Sequence, residues 1–437
     1  MGRIGACAIA LAFAATGPGP AAERVTLREV GRAGDATRAT VELKAEGTFR
    51  PATPPGSPEP KPLALKVETR VEFDDRVAEV GRAGAPSKSA RAVGRAGATI
   101  NGEVRPSASA IRPEVAALVA AIKGDSVEVA SLGGPLTRAE LELVQGPGDP
   151  LALPSLLPTG PVAVGDRWAV GDLAARNLSG YDALAANSLE ATLESVDDDR
   201  ARVRLLGSIR GAALGGEGSM ACDGGFSFDR KANRVDHLTL RRAETRRPGP
   251  VEAGLDVKSV LTVARVAATA AGTAVDAATL ATTPGRELLL FNAPDGKFSL
   301  IHDRDWHLYW DDARQVVLKR LDRGELVAQC NITDGPNAGK GRHQDPTQFR
   351  DDIRKALGGR FVRVVGQGEV DGVPDAGYRF KVTVEGRQGD AGVLWHYYLI
   401  AGPDGDQLIA TFTLGMAQQA QFADQDLRLI GTLEWKK

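Results

Sequence analysis

The sequence predicts an α+β fold in two parts, an N-terminal antiparallel sheet or half-barrel followed by an α/β sandwich with an antiparallel sheet. Apolar and polar residues alternate at period two through 39–49, 63–80 and 191–267, which is typical of half-buried antiparallel strands. Residues 285–437 instead combine short strands with helical patterns. The chain is 43% hydrophobic and 25% charged, as ordinary globular proteins are.

The N-terminal segment 1–22 has the layout of a secretory signal peptide. One arginine precedes an apolar run over 4–15, and small, helix-breaking residues follow over 16–22. A run of about 12 residues is too short for a bilayer core, which needs about 20. We therefore expect cleavage after Gly17 or Ala22, export to the periplasm or the extracellular space, and no transmembrane segment.

The charge balance argues against polyanionic partners. The chain has 54 basic and 56 acidic residues, a formal net charge of −2. A nucleic-acid-binding protein usually carries a basic excess that attracts phosphates. We expect no nucleic-acid partner.

Two cysteines remain after cleavage, Cys222 and Cys330. An oxidising compartment would permit a disulfide between them. They lie in different predicted domains, and neither has the spacing of a metal site. We favour two buried thiols and leave pairing open.

Residues 23–267 are predicted to form a β-rich domain that opens with a hairpin. The proline-rich stretch 50–62 separates its two strands and should be an exposed loop. Proline at the start and glutamate in the first turn predict a short helix over Pro113–Lys123. A second helix is predicted from Thr137, which forms a capping box with Glu140.

Residues 268–284 are small and of low complexity, which predicts a linker before a second domain over 285–437. In that domain Asp295-Gly296 is the predicted turn of the first hairpin. Phe349, Ile353 and Leu357 recur at helical spacing, so a helix is expected over 346–357. A closing helix is predicted over 417–431, with Phe422, Leu427 and Ile430 facing inward.

The second domain resembles the PsbP-like fold, which an extrinsic photosystem subunit, a Ran-binding factor and bacterial envelope proteins share. The segments that carry the likeness are Gly296–Leu300, Asp305-Trp306, Gly372–Tyr378, Trp395–Leu399, Leu408–Thr413 and the terminal helix with Phe422. The resemblance implies a non-catalytic binding or assembly module. The first domain resembles the half-barrel of periplasmic lipoprotein carriers, with a generic β-sandwich or open sheet as the alternative.

Residues 302–307 contain the densest polar cluster of the sequence. Asp303, Asp305 and His307 would share one face of an extended segment, so they are weak candidates for a metal site. A turn with solvated charges is the simpler interpretation. Trp306, His307 and Trp310 are the candidate ligand-binding residues, because their segment does not alternate cleanly and aromatic side chains are favoured at recognition surfaces.

No sequence motif indicates catalysis, and His396 is predicted to be a half-exposed strand residue. We expect no enzyme activity and no cofactor. The sequence favours an exported binding or scaffolding protein of the cell envelope for an unknown protein or lipid-like partner. The alternative is a hydrolase with a carboxylate or metal site near His302–His307.

Overall fold

The computed structural model describes residues 23–51, 60–104, 110–268, 285–312, 314–371 and 377–436. The signal peptide expected at 1–22 lies outside the described residues. So do part of the proline-rich loop (52–59), most of the expected linker (269–284) and part of one PsbP-like segment (372–376). Among the described residues, no helix has both the length and the apolar character needed to cross a membrane.

The α+β prediction is wrong, because the protein is mainly β. Strands hold 56% of the described residues and helices 14%, in large antiparallel sheets. The strands are β1 (Ala36–Arg50), β2 (Leu63–Val80), β3 (Pro86–Ile100), β4 (Glu103–Val104), β5 (Ala117–Lys123), β6 (Ser126–Ser131), β7 (Leu136–Thr137), β8 (Arg167–Ala169), β9 (Ala183–Asn187), β10 (Glu190–Val196), β11 (Arg200–Ala213), β12 (Gly216–Asp229), β13 (Arg234–Arg246), β14 (Gly254–Ala267), β15 (Leu289–Asn292), β16 (Phe298–His302), β17 (Trp306–Asp311), β18 (Gln315–Asp322), β19 (Glu325–Gly335), β20 (Phe361–Glu369), β21 (Tyr378–Gln388), β22 (Ala391–Ala401), β23 (Gln407–Gly415) and β24 (Glu434–Trp435).

The helices are short, which explains their small share. The α-helices are α1 (Arg138–Val144), α2 (Asp172–Ser179), α3 (Pro346–Leu357), α4 (Gln419–Phe422) and α5 (Gln425–Gly431). Single 3-10 turns or short 3-10 helices occupy Pro113–Val115, Pro150–Leu156, Gly358–Arg360 and Met416–Gln418. The predicted helix start at Thr137 and the predicted helix 346–357 are both confirmed.

Two helix predictions need correction. Residues 117–123 form β5, because this segment hydrogen-bonds between β3 and β6 and buries Leu118 and Ala120 on one face. Strand pairing on both sides outweighs the local helix signal. The closing helix is broken at Ala423, which has φ +49°. Leu427 is consequently exposed, and Leu429 takes the buried position.

A thirteen-stranded sheet dominates the N-terminal half. Its order is β6-β5-β3-β2-β1-β14-β13-β12-β11-β10-β8, with β4 beside β3 and β9 beside β11. The predicted opening hairpin is confirmed, since Phe49 pairs with Leu63 across β1 and β2. The two antiparallel meanders β1–β6 and β8–β14 meet where β1 pairs with β14.

One face of this sheet, termed the inner face, is covered by helices. Leu153, Leu156 and Leu178 from the connecting segment pack there against buried residues of β10 to β14. Leu27, from the extended chain before β1, joins the same cluster. The opposite face, termed the outer face, lies towards solvent: along β14 the residues alternate between buried and exposed.

The C-terminal half contains a seven-stranded antiparallel sheet, ordered β17-β18-β19-β23-β22-β21-β20. Helix α3 packs on one face through Phe349, Ile353 and Leu357. The other face carries α4, α5 and a four-stranded sheet, β24-β16-β15-β7. Strand β7 from the N-terminal half pairs with β15 in that small sheet, so the two halves share hydrogen bonds.

Candidate functional site

The outer face of the large sheet carries an open depression of about 620 Å³. Five neighbouring strands, β1, β14, β13, β12 and β11, form it. One transverse row of paired residues crosses all five strands: Lys44, Val260, Arg241, Asp223 and Leu206. With strands about 4.8 Å apart, this row spans roughly 19 Å.

The next row supplies the floor of the depression. Lys258, Ala243 and Ala221 are consecutive partners across β14, β13 and β12. Gly207 also borders the depression, and a Cβ atom there would lie 2.3 Å from the main-chain oxygen of Ser188, so glycine allows the two segments of the chain to approach closely at this edge. Small side chains beside larger ones create a concave, largely apolar surface.

The apolar walls of the depression are unusually exposed. Leu206 is 56% exposed and Val260 is 40% exposed, although both lie in the middle of long strands. Scattered exposed apolar residues are normal in proteins, whereas apolar side chains lining a common concavity often mark a binding surface.

Three cations surround Val260. Lys44 and Arg241 flank it within the row, and Lys258 lies two residues away on the same face of β14. Within the described part of the chain, none of the three has an ion-pair or side-chain hydrogen-bond partner. Asp223, by contrast, pairs with Arg204 at 2.6 Å. One end of the apolar surface therefore carries three cations without ion-pair partners among the described residues, and the Glu46 carboxylate lies beside Lys258 across the β1–β14 pair.

The structure separates the predicted ligand-binding residues. Trp306 is 1% exposed and makes edge-to-face contacts with Phe412 and Phe422, at centroid distances of 5.9 and 6.3 Å. Trp310, at the far end of β17, is 57% exposed and its indole N–H donates to Asp312. Trp306 is a core residue of the C-terminal half, and Trp310 is a surface residue.

Two of the residues predicted as possible metal ligands, Asp303 and Asp305, form ion pairs with an arginine of the protein. Arg320 donates to both carboxylate oxygens of Asp303 at 2.9 Å and to Asp305 at 3.2 Å. His307 is buried on β17. In the ranges that the structure describes, no three His, Cys, Asp or Glu side chains are arranged to hold a metal ion. The Arg320 guanidinium thus occupies the position beside the two aspartates that a metal ion would need, and it balances one of their two negative charges.

Burial changes the titration of the two histidines in this region. Desolvation, together with the nearby positive charge of Arg138, lowers the pKa of His302 to about 4 and that of His307 to about 3. The His302 ring also donates through Nδ1 to the main-chain oxygen of Asp303 at 2.7 Å. Both imidazoles are therefore neutral in the folded protein near pH 7.

These shifts predict a loss of stability in mild acid. The unfolded chain takes up protons at both histidines below about pH 6.5, whereas the folded protein resists this until about pH 4. The free energy of unfolding should fall between those pH values, at up to about 1.4 kcal/mol per pH unit for each group. Urea unfolding of His302→Gln across this range should show a shallower pH dependence. His237→Gln, at an exposed site, should match the parent, and equal slopes in all three proteins would refute the prediction.

A buried polar cluster lies where α5 meets the C-terminal sheet. Asp426 is fully buried, and its Oδ2 atom accepts hydrogen bonds from His396 Nδ1 at 2.6 Å and Tyr398 Oη at 2.7 Å. The ammonium group of Lys381 lies 2.6 Å from the same oxygen. His396 is 7% exposed, so the half-exposed position expected for it is wrong.

The same cluster shows strong electrostatic coupling. Burial alone would raise the pKa of Asp426, but the contacts with His396 and Lys381 hold the pKa of that carboxyl well below its usual range. Burial, reinforced by the Asp426 charge, raises the pKa of the Tyr398 hydroxyl. Asp426 was not among the predicted site residues, and the signal that could have found it is an acidic residue at helical spacing from the apolar Phe422, Leu429 and Ile430.

Cys222 and Cys330 are both free and buried, as the sequence analysis favoured. Desolvation raises the pKa of Cys222 to about 11 and also raises the pKa of Cys330. A thiol that stays protonated at neutral pH is a poor nucleophile and a poor metal ligand. Both are packing residues of their respective cores.

Comparisons with known proteins give no identity. No family model and no curated protein matches the chain. A solved structure from Bacteroides thetaiotaomicron VPI-5482 aligns at 15% identity and a TM-score of 0.25, over 34% of this chain and 48% of that one. The chain thus spans about half the length of that protein.

Two further solved structures align over most of the chain. OccK11 (OpdR) of Pseudomonas aeruginosa has 9% identity and a TM-score of 0.12, over 90% of this chain and 100% of that one. Kievitone hydratase from Nectria haematococca has 9% identity and a TM-score of 0.13, over 89% and 91%. At such TM-scores the likeness carries no argument about fold or function.

Proposed function

We propose that this protein is an exported cell-envelope protein that binds, without catalysis, a lipid-like molecule with an acyl chain and an anionic head group. The observation that carries the proposal is the apolar depression on the outer face with three unpaired cations at one end. Export rests on the signal-peptide pattern of residues 1–22, and the PsbP-like assignment of 285–437 rests on its sequence segments alone.

The arrangement suits an amphiphile because its two kinds of surface are adjacent. An acyl chain placed over Ala243 and Ala221 would remove apolar surface from water. This burial stabilises the complex by about 25 cal/mol for each Å² buried. The head group would lie over Val260, within reach of Lys44, Lys258 and Arg241. Cations that start without partners lose no existing ion pair on binding, so the attraction is not offset by a broken contact.

Blocking the floor is expected to abolish binding. In a displacement titration with a fluorescent fatty acid, Ala243→Arg should bind at least tenfold more weakly than the parent, because its side chain fills the depression. Thr245→Arg is the matched control, since Thr245 lies two residues along β13 on the same exposed face. Equal affinities in the two variants would remove this site from consideration.

Reversing one charge tests the head-group end. Lys258→Glu should weaken fatty-acid binding by roughly tenfold, since one attraction is replaced by a repulsion in an exposed setting. Arg210→Glu, an exposed position on the same face of β11, should leave affinity within twofold. If native mass spectrometry of the exported protein instead captures a bound polypeptide, the lipid-like ligand is wrong and the surface serves a protein partner.

The hydrolase alternative gains no support from the described residues. Asp303 and Asp305 are already engaged by Arg320, and His307 is buried without joining them in a metal-ligand arrangement. The proposal of non-catalytic binding therefore rests on the outer depression alone.

A further inference from the structure

A second cavity, of about 290 Å³, lies at one end of the large sheet and shares no lining residue with the outer depression. Its walls come from the chain before β1, from the starts of β1 and β13, and from the 3-10 helix Pro150–Leu156. Apolar residues such as Val77 and Leu151 close its sides. The volume equals roughly ten water molecules in the liquid, enough for a small metabolite.

Charged side chains are built into this cavity. Arg265 is 7% exposed and forms a two-point ion pair with Glu29, at 2.8 and 3.1 Å. The backbone N–H of Val235 also donates to Glu29. This pair is thus neutral and fixed in place by three hydrogen bonds.

Two guanidinium N–H donors remain without acceptors. The Nε atom of Arg265 is buried and has no partner, although the residue lines the cavity. The Nε atom of Arg234, which lines the same cavity, is in the same state, and Arg234 has no ion pair within the described ranges. A buried donor left unsatisfied costs about 1–3 kcal/mol, so an acceptor is favoured at this point.

Carboxylates line another part of the wall. Asp35 and Asp75 both border the cavity, and Asp75 is 6% exposed. Asp75 contacts Arg91 at 3.3 Å, but Arg91 makes its closer, two-point pair with Asp149 at 2.7 Å. Counting these three residues together, one negative charge is left over beside the cavity.

We propose that this cavity binds a small zwitterion of the α-amino acid class. Its carboxylate would accept hydrogen bonds from Nε of Arg234 and Nε of Arg265, and its ammonium group would lie towards Asp35 and Asp75. A simple anion would meet the carboxylates unfavourably, and a simple cation would meet two arginines. A ligand with both charges satisfies both ends of the cavity.

The test is calorimetric titration of the full-length exported protein with glycine and L-alanine, compared with acetate and methylamine at equal ionic strength. We expect millimolar or tighter binding of the two amino acids and at least tenfold weaker binding of the single-charge probes. Equal binding of acetate would overturn the zwitterion assignment. No heat and no thermal stabilisation with any probe would show that the cavity holds only water.

Single substitutions test whether glycine binds in this cavity or elsewhere on the protein. Arg234→Met should weaken glycine binding at least tenfold while the unliganded protein keeps its Tm, because it removes an unsatisfied donor. Arg95→Met, an exposed position on β3, is the control and should bind glycine like the parent. Asp35→Asn should lower glycine affinity more than acetate affinity. Unchanged glycine binding in Arg234→Met would overturn the site, whatever the outcome at the outer depression.

Discussion

Replacing Asp426 with alanine is expected to destabilise the C-terminal half by about 3–5 kcal/mol, the usual cost of breaking a buried ion pair. The change leaves His396, Tyr398 and the Lys381 ammonium without the oxygen that all three share. It also removes the polar contact between α5 and the sheet, while Leu429 and Ile430 still pack in the core. Equilibrium urea unfolding, followed by far-UV circular dichroism, measures the loss.

The matched control for this prediction is Asp424→Ala. Asp424 pairs with Arg428 one turn along the same segment, but both side chains are more than half exposed. Exposed pairs contribute about 0.2–1 kcal/mol, so the control should stay close to the parent. Equal losses in the two variants would contradict a special role for the buried carboxylate.

Lowering the pH should reduce the free energy of unfolding through this cluster, as the Asp426 substitution does. A carboxyl whose folded pKa is depressed contributes stability above its unfolded pKa of about 3.9, and that stability is lost as the pH falls further. The acid-induced loss below pH 4 should therefore be smaller in Asp426→Asn than in the parent protein.

Trp306→Ala should cost about 3–5 kcal/mol of unfolding free energy, the range for truncating a large aromatic side chain in a core. Trp306 is 1% exposed and contacts two phenylalanine rings. Trp310→Ala, at a site that is 57% exposed, should change stability by less than about 0.5 kcal/mol. The two residues were equal candidates in the sequence, so urea unfolding of both variants distinguishes packing from surface recognition.

If Trp306→Ala left stability unchanged, the core position of Trp306 would be refuted and a ligand-binding role would regain ground. Binding of the fluorescent fatty acid by the same variant, measured below its unfolding range, should equal that of the parent. The outer depression lies in the other half of the protein, so its geometry does not depend on this indole.

The sequence correctly predicted two helices whose ends carry capping residues, proline or glycine. The Thr137 hydroxyl accepts from the N–H of Glu140, and the Glu140 carboxylate accepts from the N–H of Thr137, as the spacing predicted. Helix α3 begins at Pro346 and ends before Gly358, with its three apolar residues buried. These interactions join residues that are close together in the chain, so they can be recognised from one sequence alone.

Non-local pairing limited the remaining predictions. Residues 117–123 carry a helix-compatible sequence, yet β3 and β6 provide hydrogen bonds on both sides and fix an extended backbone. The predicted closing helix differs for a local reason, since Ala423 has φ +49° and separates α4 from α5.

The candidate site could not be predicted from the sequence for the same physical reason. Lys44 and Arg241 are almost 200 residues apart in the chain, and only the register of β1, β14 and β13 makes them near neighbours. Likewise, Asp426 reaches His396 through the packing of α5 on the sheet. Neither contact follows from spacing or periodicity.

The pairing of β1 with β14 has a consequence for biosynthesis. Strand β1 leaves the ribosome more than 200 residues before its partner β14, and until then one edge of the β1–β2 hairpin presents unpaired N–H and C=O groups. Pairing between strands so far apart in the chain slows folding, and it prolongs the lifetime of partly folded states that are prone to aggregate. Under the export proposed above, that delay would help the chain to cross a membrane, because an incomplete sheet is easier to keep extended.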